Sequence, residues 1–412
     1  MKNIRFIHAA DLHLDSPFQG LKNLPEVLVD RVKESTFEAL QRIVLHAIEY
    51  QVDFVIFAGD LFDGENRSYK AQSRLKKAFE ELDYYGIACY IIHGNHDHLK
   101  GNWISLTWPK NVFFFKGQVE CFDYKKEEIT VHIYGFSYPE KSVTENMTSY
   151  YQKVGNANFH IGILHGTAEG QEGHDSYAPF SVKQLLEKNF DYWALGHIHK
   201  KQILHQKPYI VYSGNTQGRH KKELGEKGVY LVELSDTNTT TLTFLPTSQI
   251  YWEEFVVSID GIEEVDILKN RCEVILEEAN RFQKGLFAIL RFTGVGPLHD
   301  YLIEEVDDLI EILNIGQEEK SSFTYVIDKK VETIGQWDRE QLKREQHLVK
   351  DIVTVVDRLF DREEPMREIL DELYSNPKVK RYVETLTVEE QKQLLQEAEN
   401  YLLAILLKEK DE

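Results

Sequence analysis

At 412 residues with 42% hydrophobic content the chain has room for two or three domains of ordinary globular composition, and no run approaches the roughly 20 apolar residues of a membrane span, so it reads as a cytoplasmic protein with no membrane partner. Its three cysteines, Cys89, Cys121 and Cys272, are far apart without CxxC spacing, which favours reduced thiols over a disulfide framework. The net charge of −20 argues against nucleic acid until it is divided: residues 1–250 hold 27 Lys and Arg against 30 Asp and Glu, and the remainder of the 48 and 68 leaves 21 against 38, so the acidity is C-terminal.

Ile4–Ala10 reads as a short strand ending in Asp11-Leu12-His13-Leu14-Asp15. From about Pro25 to Tyr50, Leu28, Val32, Leu40, Ile43, Val44 and Ala47 recur at helical spacing, which predicts a helix covering a sheet. A second apolar strand, Val52–Ala58, ends in Gly59-Asp60-Leu61-Phe62-Asp63, and Ser68–Tyr85 reads as an amphipathic helix with Leu75, Phe79 and Leu82 on one face. A third strand, Ile87–Ile92, delivers Gly94-Asn95-His96-Asp97, where the glycine lets the backbone turn so that Asn95 and His96 approach one point. Strand, helix, strand, helix, strand is the order of an α/β layered domain. Strands follow at Val112–Phe115, Ile129–Phe136 and Phe159–Leu164, the last running into His165-Gly166. Ser181 is a plausible N-cap for a short helix to Lys188, Tyr192–Leu195 runs into Gly196-His197-Ile198-His199, and further strands fit Tyr209–Tyr212, Val229–Leu234 and Thr241–Leu245.

From about Ile250 the pattern changes to a small α+β module. It comprises a strand Phe255–Ile259, a helix Ile262–Phe282, a strand Phe287–Phe292, a helix from Pro297 to Leu313, and a hairpin of Phe323–Ile327 with Val331–Ile334. Beyond Trp337 the pattern is helical: Gln341–Phe360, a piece from Met366 to Tyr374 ended by Asn376-Pro377, and Glu389–Leu407, whose start has the Thr387-x-x-Glu390 spacing of a capping box. Domain limits of 1–249, 250–337 and 338–412 follow.

Five strand ends thus present Asp11 with His13, Asp60, Asn95 with His96, His165, and His197 with His199. A mixture of oxygen and imidazole donors suits Mn, Fe or Zn better than Ca or Mg. A shared carboxylate can hold two such ions about 3.5 to 4 Å apart, where they clamp a phosphoryl group and activate water. A lone Asp-x-His is ordinarily structural; five such groups at successive strand ends are not explained by packing alone. His46, His132, His160, His205, His299 and His347 lie in or beside predicted elements and read as packing or surface residues. His174, in the loop after His165, is a candidate substrate contact. Arg219-His220-Lys221-Lys222 reads either as a contact to nucleic-acid phosphates or as a solvated turn. Trp103, Trp108 and Phe113 to Phe115 could stack on bases, but core packing is the better reading.

Asp-x-His, Gly-Asp-x-x-Asp, Gly-Asn-His-Asp, a His before Gly, and Gly-His-x-His, in that order, resemble the calcineurin-like metallophosphoesterases over roughly residues 1–245. The details Ala10-Asp11-Leu12-His13-Leu14, Ala58–Asp63 and Ala194–His199 look most like the bacterial SbcD-type DNA-repair exonuclease branch and its YhaO-like members. The resemblance implies an α/β fold, a layered β-sandwich flanked by helices, with the 250–337 module as a capping domain and C-terminal helices. It implies two divalent metal ions, Mn first with Fe or Zn as alternatives, one on Asp11, His13, Asp60 and His199 and the other on Asp60, Asn95, His165 and His197. In the family scheme His96 protonates the leaving oxygen and Asp97 orients it. Asp63 departs from archaeal and eukaryotic nuclease relatives, which carry His there, but matches the wider superfamily. The implied function is a two-metal phosphodiesterase, a DNA exonuclease or endonuclease in DNA repair. DNA is then one partner and a coiled-coil ATPase docked on the C-terminal helices another, with a homodimer compatible. The alternatives are a phosphoesterase for a non-nucleic substrate, or a regulatory partner of the ATPase with little turnover of its own.

Overall fold

The computed structural model describes residues 3–16, 18, 20–21, 24–64, 67–170, 176–237, 239–280, 284–336, 339–344, 348–362, 366, 370 and 386–408. His174, His347 and most of the predicted 366–374 helix lie outside them. Two compact units emerge: Met1–Glu253 with Phe282–Phe287 and Gly316–Tyr325, and Glu254–Arg281 with Ala288–Ile315 and Val326–Glu412.

The first unit is a sandwich of two six-stranded sheets. One sheet is built on β1 (Asn3–Ala9), β2 (Phe54–Ala58), β3 (Ala88–Ile92) and β4 (Val112–Phe114), all parallel, and is extended antiparallel from β1 by β11 (Gly228–Ser235) and β12 (Thr240–Pro246). The other holds β5 (Glu120–Lys126), β6 (Ile129–Gly135), β7 (Phe159–His165), β8 (Tyr192–Gly196), β9 (Gln202–Gln206) and β10 (Tyr209–Tyr212), in the order β5-β6-β7-β8-β10-β9.

Strand alternation explains the layers. Phe6, Phe54, Ile56, Tyr90 and Ile92 face inward and meet Val131, Ile133, Ile161, Ile163 and Ala194 of the second sheet. Their neighbours Ile7, Val55, Phe57, Cys89 and Ile91 face outward and are covered by Leu40, Ile43 and Val44 of α1 (Glu26–Glu49) and by Leu75, Phe79 and Leu82 of α2 (Tyr69–Tyr84). On the far side Leu164, Trp193, Leu195 and Tyr212 are covered by Met147, Phe180 and Leu185, the last from α3 (Val182–Glu187), which Ser181 caps with a full capping box. The layered β-sandwich with flanking helices is therefore the observed architecture.

The predicted hairpin at 323–334 is not formed; instead β15 (Thr324–Gly335) is one continuous strand beside β14 (Gly285–Gly296), with β13 (Ile250–Ser258) on the other side of β14. Asp328 is the one turn-forming residue of Asp328-Lys329-Lys330, with no Gly, Asn or Pro beside it, and the two lysines pair with Asp307 and Glu254. Strands β5 and β9 had no sequence signal. The β5–β6 turn places Glu127 at φ 52°, a conformation that Gly or Asn would normally advertise. In the second unit α4 (Val265–Ala279), α5 (His299–Glu304) and α6 (Val306–Asn314) pack Leu268, Cys272, Leu302, Leu309 and Leu313 against Leu290 and Phe292. The single helix expected from Pro297 is broken at Glu305, whose φ of −126° is not helical. Helices α7 (Arg339–Leu342), α8 (Leu348–Phe360) and α9 (Val388–Lys408) follow, and the capping box opens α9, Glu390 N–H donating to Thr387 Oγ1 at 3.3 Å and Thr387 N–H to Glu390 Oε2 at 2.7 Å. No helix among the described residues is long and apolar enough to cross a membrane.

One buried residue of the sandwich gives a stability prediction. Burial pushes the His8 imidazole from its ordinary 6.5 down to about 3, and its nitrogens meet the Tyr192 hydroxyl at 3.0 Å and the Leu195 carbonyl at 3.2 Å. The unfolded chain takes up a proton there below its ordinary value while the folded chain resists, so stability present above pH 6.5 is lost as pH falls from 6.5 toward 3. The Tm of the full chain is expected to fall between about pH 6.5 and 5, with this site contributing at most roughly 1.4 kcal/mol per pH unit. A His8→Gln variant should show a shallower slope over the same range; parallel curves would refute the assignment.

Candidate metal centre

Strands β1, β2 and β3 run parallel, so the segments leaving them emerge at one edge. The exit segments of β1 and β2 stay paired: Asp11 N–H donates to Gly59 O at 3.1 Å and His13 N–H to Asp60 O at 3.0 Å. To aim their side chains inward, Asp11, His13, Asp60 and His197 adopt positive φ of 53°, 45°, 52° and 96°. Non-glycine residues seldom do so, and strain of this kind persists where a site needs it.

The result is a buried cluster. Asp60 Oδ2 lies 3.8 Å from His13 Nε2 and 3.4 Å from His165 Nε2, and Asp11 Oδ1 lies 3.9 Å from His165 Nδ1. His13 Nε2 and His199 Nε2 are 3.1 Å apart, and His165 Nε2 is 3.0 Å from Asn95 Oδ1. The His197 ring sits edge-on to His165 with centroids 5.2 Å apart, and its backbone N–H donates to both oxygens of Asp11 at 3.0 and 3.1 Å. All seven predicted ligand residues, Asp11, His13, Asp60, Asn95, His165, His197 and His199, thus come together. Donor atoms of Asp11, His13 and His199, and of Asp11, Asp60 and His165, lie within 4.8 Å of one another.

Hydrogen bonds fix which atoms face inward. His165 Nδ1 donates to Ala58 O at 2.9 Å and His199 Nδ1 donates to Glu223 at 2.5 Å, so each ring turns its Nε2 lone pair into the cluster. Around His165 Nε2, a lone pair, the Asn95 carbonyl oxygen and the Asp60 carboxylate converge, which calls for a cation between them, a proton or a metal ion. Burial disfavours charge on His165, but the carboxylate of Asp60 lifts it to about 9. Burial likewise pushes Asp60 up, yet the His165 and His13 imidazoles hold it well below the usual carboxylate range. This donor chemistry fits divalent transition ions.

Glycines make the convergence sterically feasible. A Cβ on Gly94 would lie 2.4 Å from Asp60 Oδ1 and 2.6 Å from His165 Nε2, and one on Gly196 would lie 1.9 Å from Ala58 O. Gly94→Ala is therefore expected to cost at least about tenfold in metal affinity, the loss typical when a ligand's support is displaced. Metal titration of the variant followed by elemental analysis checks this; unchanged affinity would refute it.

The residues beside the cluster differ from expectation. His96 is 43% exposed at the side chain, and its Nδ1 donates to Asp63 Oδ1 at 2.8 Å, which raises the imidazole above its ordinary value. Asp97 does not orient His96. Its carboxylate accepts from Gly94 N at 2.6 Å, Leu61 N at 2.9 Å and His93 Nδ1 at 3.2 Å, stapling the β3 exit to the β2 exit. Adjacent residues diverge on the tight Gly94 turn, so the orienting carboxylate comes from the next strand. Arg219 is neither a solvated turn nor an open phosphate contact: its side chain is 11% exposed, pairs with Asp63 at 3.1 Å and donates to Ser16. Glu223, which holds His199, and His93, which holds Asp97, carried no motif and escaped sequence reasoning. Trp103, Trp108 and Phe114 pack against the outer core of the first sheet. A separate donor group, Cys121, Asp123 and His132, lies on β5 and β6; burial pushes the Cys121 thiol up to about 11, which keeps it protonated.

A family model described as calcineurin-like phosphoesterase matches residues 4–201. Metallophosphoesterase YhaO of Bacillus subtilis is 38% identical over 407 residues, covering 97% of each chain. A subunit of the SbcCD nuclease of Staphylococcus epidermidis is 22% identical, covering 79% of this chain and 90% of its own. The DNA double-strand break repair protein Mre11 of Methanocaldococcus jannaschii is 26% identical, covering 69% and 73%.

Proposed function

The chain belongs to the calcineurin-like metallophosphoesterase family, a family of metal-dependent phosphoesterases, and from that premise we propose that it is a two-metal phosphodiesterase acting on DNA. The observation that carries this reading is Asp60, a buried carboxylate within 4 Å of imidazoles from two different strand ends, as a shared ligand would be. One ion would be held by Asp11, His13, Asp60 and His199, the other by Asp60, Asn95, His165 and His197. Two divalent ions, with Mn as the first candidate, supply positive charge for the phosphoryl group and lower the pKa of water at the centre.

The chain's own groups do the rest. Glu223 and the Ala58 carbonyl hold the tautomers of His199 and His165. Asp63 occupies Nδ1 of His96, so Nε2 remains to deliver a proton to the leaving oxygen, and the exposure of the ring lets a substrate reach it. Asp63 in turn is held by Ser16 at 2.7 Å and by Arg219.

DNA as substrate draws support from relatives whose names carry nuclease and double-strand break repair. One of these is named as part of a larger nuclease, which supports an assembly; in our reading a coiled-coil ATPase docks on α8 and α9, where Val355, Tyr401, Leu402 and Ile405 are exposed. The same reading sets this work in the cytoplasm. The test is metal-dependent cleavage of defined single- and double-stranded DNA, with and without that partner. Hydrolysis of simple phosphodiesters with every DNA form left intact would overturn the nuclease reading and leave a phosphoesterase for a smaller substrate.

A further inference from the structure

Next to the metal centre lies a cavity of about 200 Å³, lined in part by His199, Lys200, Lys201, Ser213, Glu226 and Lys227. Lys227 is only 9% exposed. Its ammonium has three N–H bonds to donate, yet among the described residues its one acceptor is the His199 carbonyl at 3.5 Å. A lysine so buried is ordinarily paired, because burial withdraws its ammonium from bulk water. Burial disfavours the charged ammonium, the nearby Glu223 charge favours it and the Lys201 and Lys200 charges oppose it, but neither Glu223 nor Glu226 accepts a hydrogen bond from it. Glu223 accepts from His199, from Asn215 at 3.0 Å and from Arg219 N at 2.7 Å, and Glu226 faces Lys284 at 3.8 Å. Lys201 adds a second charge, its Nζ 3.5 Å from the centroid of Phe244, which holds an ammonium without neutralising it. Lys200 lines the cavity as well. The space is below the roughly 300 Å³ at which pockets for drug-sized ligands begin, so it suits a small compact anion.

We propose that this cavity is a phosphate subsite in which Lys227, with Lys201 and Lys200, takes a phosphate group beside the metal centre. His199 links the two, its imidazole turned to the metal cluster and its carbonyl to Lys227. The subsite deepens the phosphodiesterase reading and rests on it for the source of the anion, which is either the next phosphate of a strand or a free or terminal phosphate.

Equilibrium dialysis of radiolabelled inorganic phosphate against the metal-loaded full chain tests it. The wild type should bind one phosphate more per chain than Lys227→Gln, or hold that phosphate about tenfold more tightly, the weight of one charged hydrogen bond. Lys201→Gln, a change at an exposed side chain, should weaken the same phosphate several-fold, so the proposal stays testable if Lys227→Gln fails to fold. Identical phosphate binding in wild type and a folded variant would overturn it. Displacement of the Lys227-dependent phosphate by an oligonucleotide lacking terminal phosphates assigns the subsite to a strand phosphate, and retention assigns it to a free or terminal one. Because the readout is binding, a chain that leaves DNA uncut but holds this phosphate loses only the nuclease reading. A chain that cuts DNA without it loses only the subsite.

Discussion

Asp60→Asn is expected to lower phosphodiester turnover by on the order of 10³-fold and to lower the metal content with it. The substitution keeps the shape of the side chain and removes its charge. Asp60 Oδ2 is within 3.8 Å of His13 and 3.4 Å of His165, while Oδ1 accepts the His96 backbone N–H at 3.0 Å, so one carboxylate ties three strand exits together. An amide in its place offers one neutral oxygen to positions that call for a shared anion. Elemental analysis per chain and turnover of a simple phosphodiester check the prediction. A variant that retains full metal content and full activity would rule out the shared-ligand assignment.

His96→Ala should separate chemistry from metal binding. Turnover is expected to fall by roughly 10²- to 10⁴-fold with metal content unchanged, since the imidazole supplies a proton and holds no ion in this reading. The loss should be large for a substrate with an alkoxide leaving group and small for a nitrophenyl ester, whose leaving group needs no proton. Equal losses for both substrates, or loss of metal, would count against the acid role. Asp63→Asn should reproduce part of the effect, because Asp63 and not Asp97 holds the ring through Nδ1.

Much of the first unit was legible because its strands are short apolar runs that end in clustered ligands. Phe54–Ala58 and Ile87–Ile92 are apolar on both faces, as strands covered on both sides must be, and β2 and nearly all of β3 are buried. The strands β5 and β9 were not legible: their residues are only half-buried, and their pairing partners determine them more than their own pattern does. The same holds for β15, where charged residues inside a strand imitated a turn.

For the site, residue types, order and spacing by themselves singled out the side chains that the structure brings together, because each is local to the end of one strand and donors for a divalent ion are restricted to carboxylate, amide oxygen and imidazole; their division between two ions is what the family resemblance implies. Only the tertiary structure decided which neighbour serves which ligand. Asp63 rather than Asp97 meets His96, Glu223 fixes His199, Arg219 turns inward to Asp63, and Lys227 sits buried under the His199 carbonyl. These pairings join residues that are distant in the chain, such as Asp63 with His96 and Arg219 with Asp63, or bring in a residue outside the motifs, such as Glu223 with His199. They are set by where two sheets place their loops, and no local pattern encodes that.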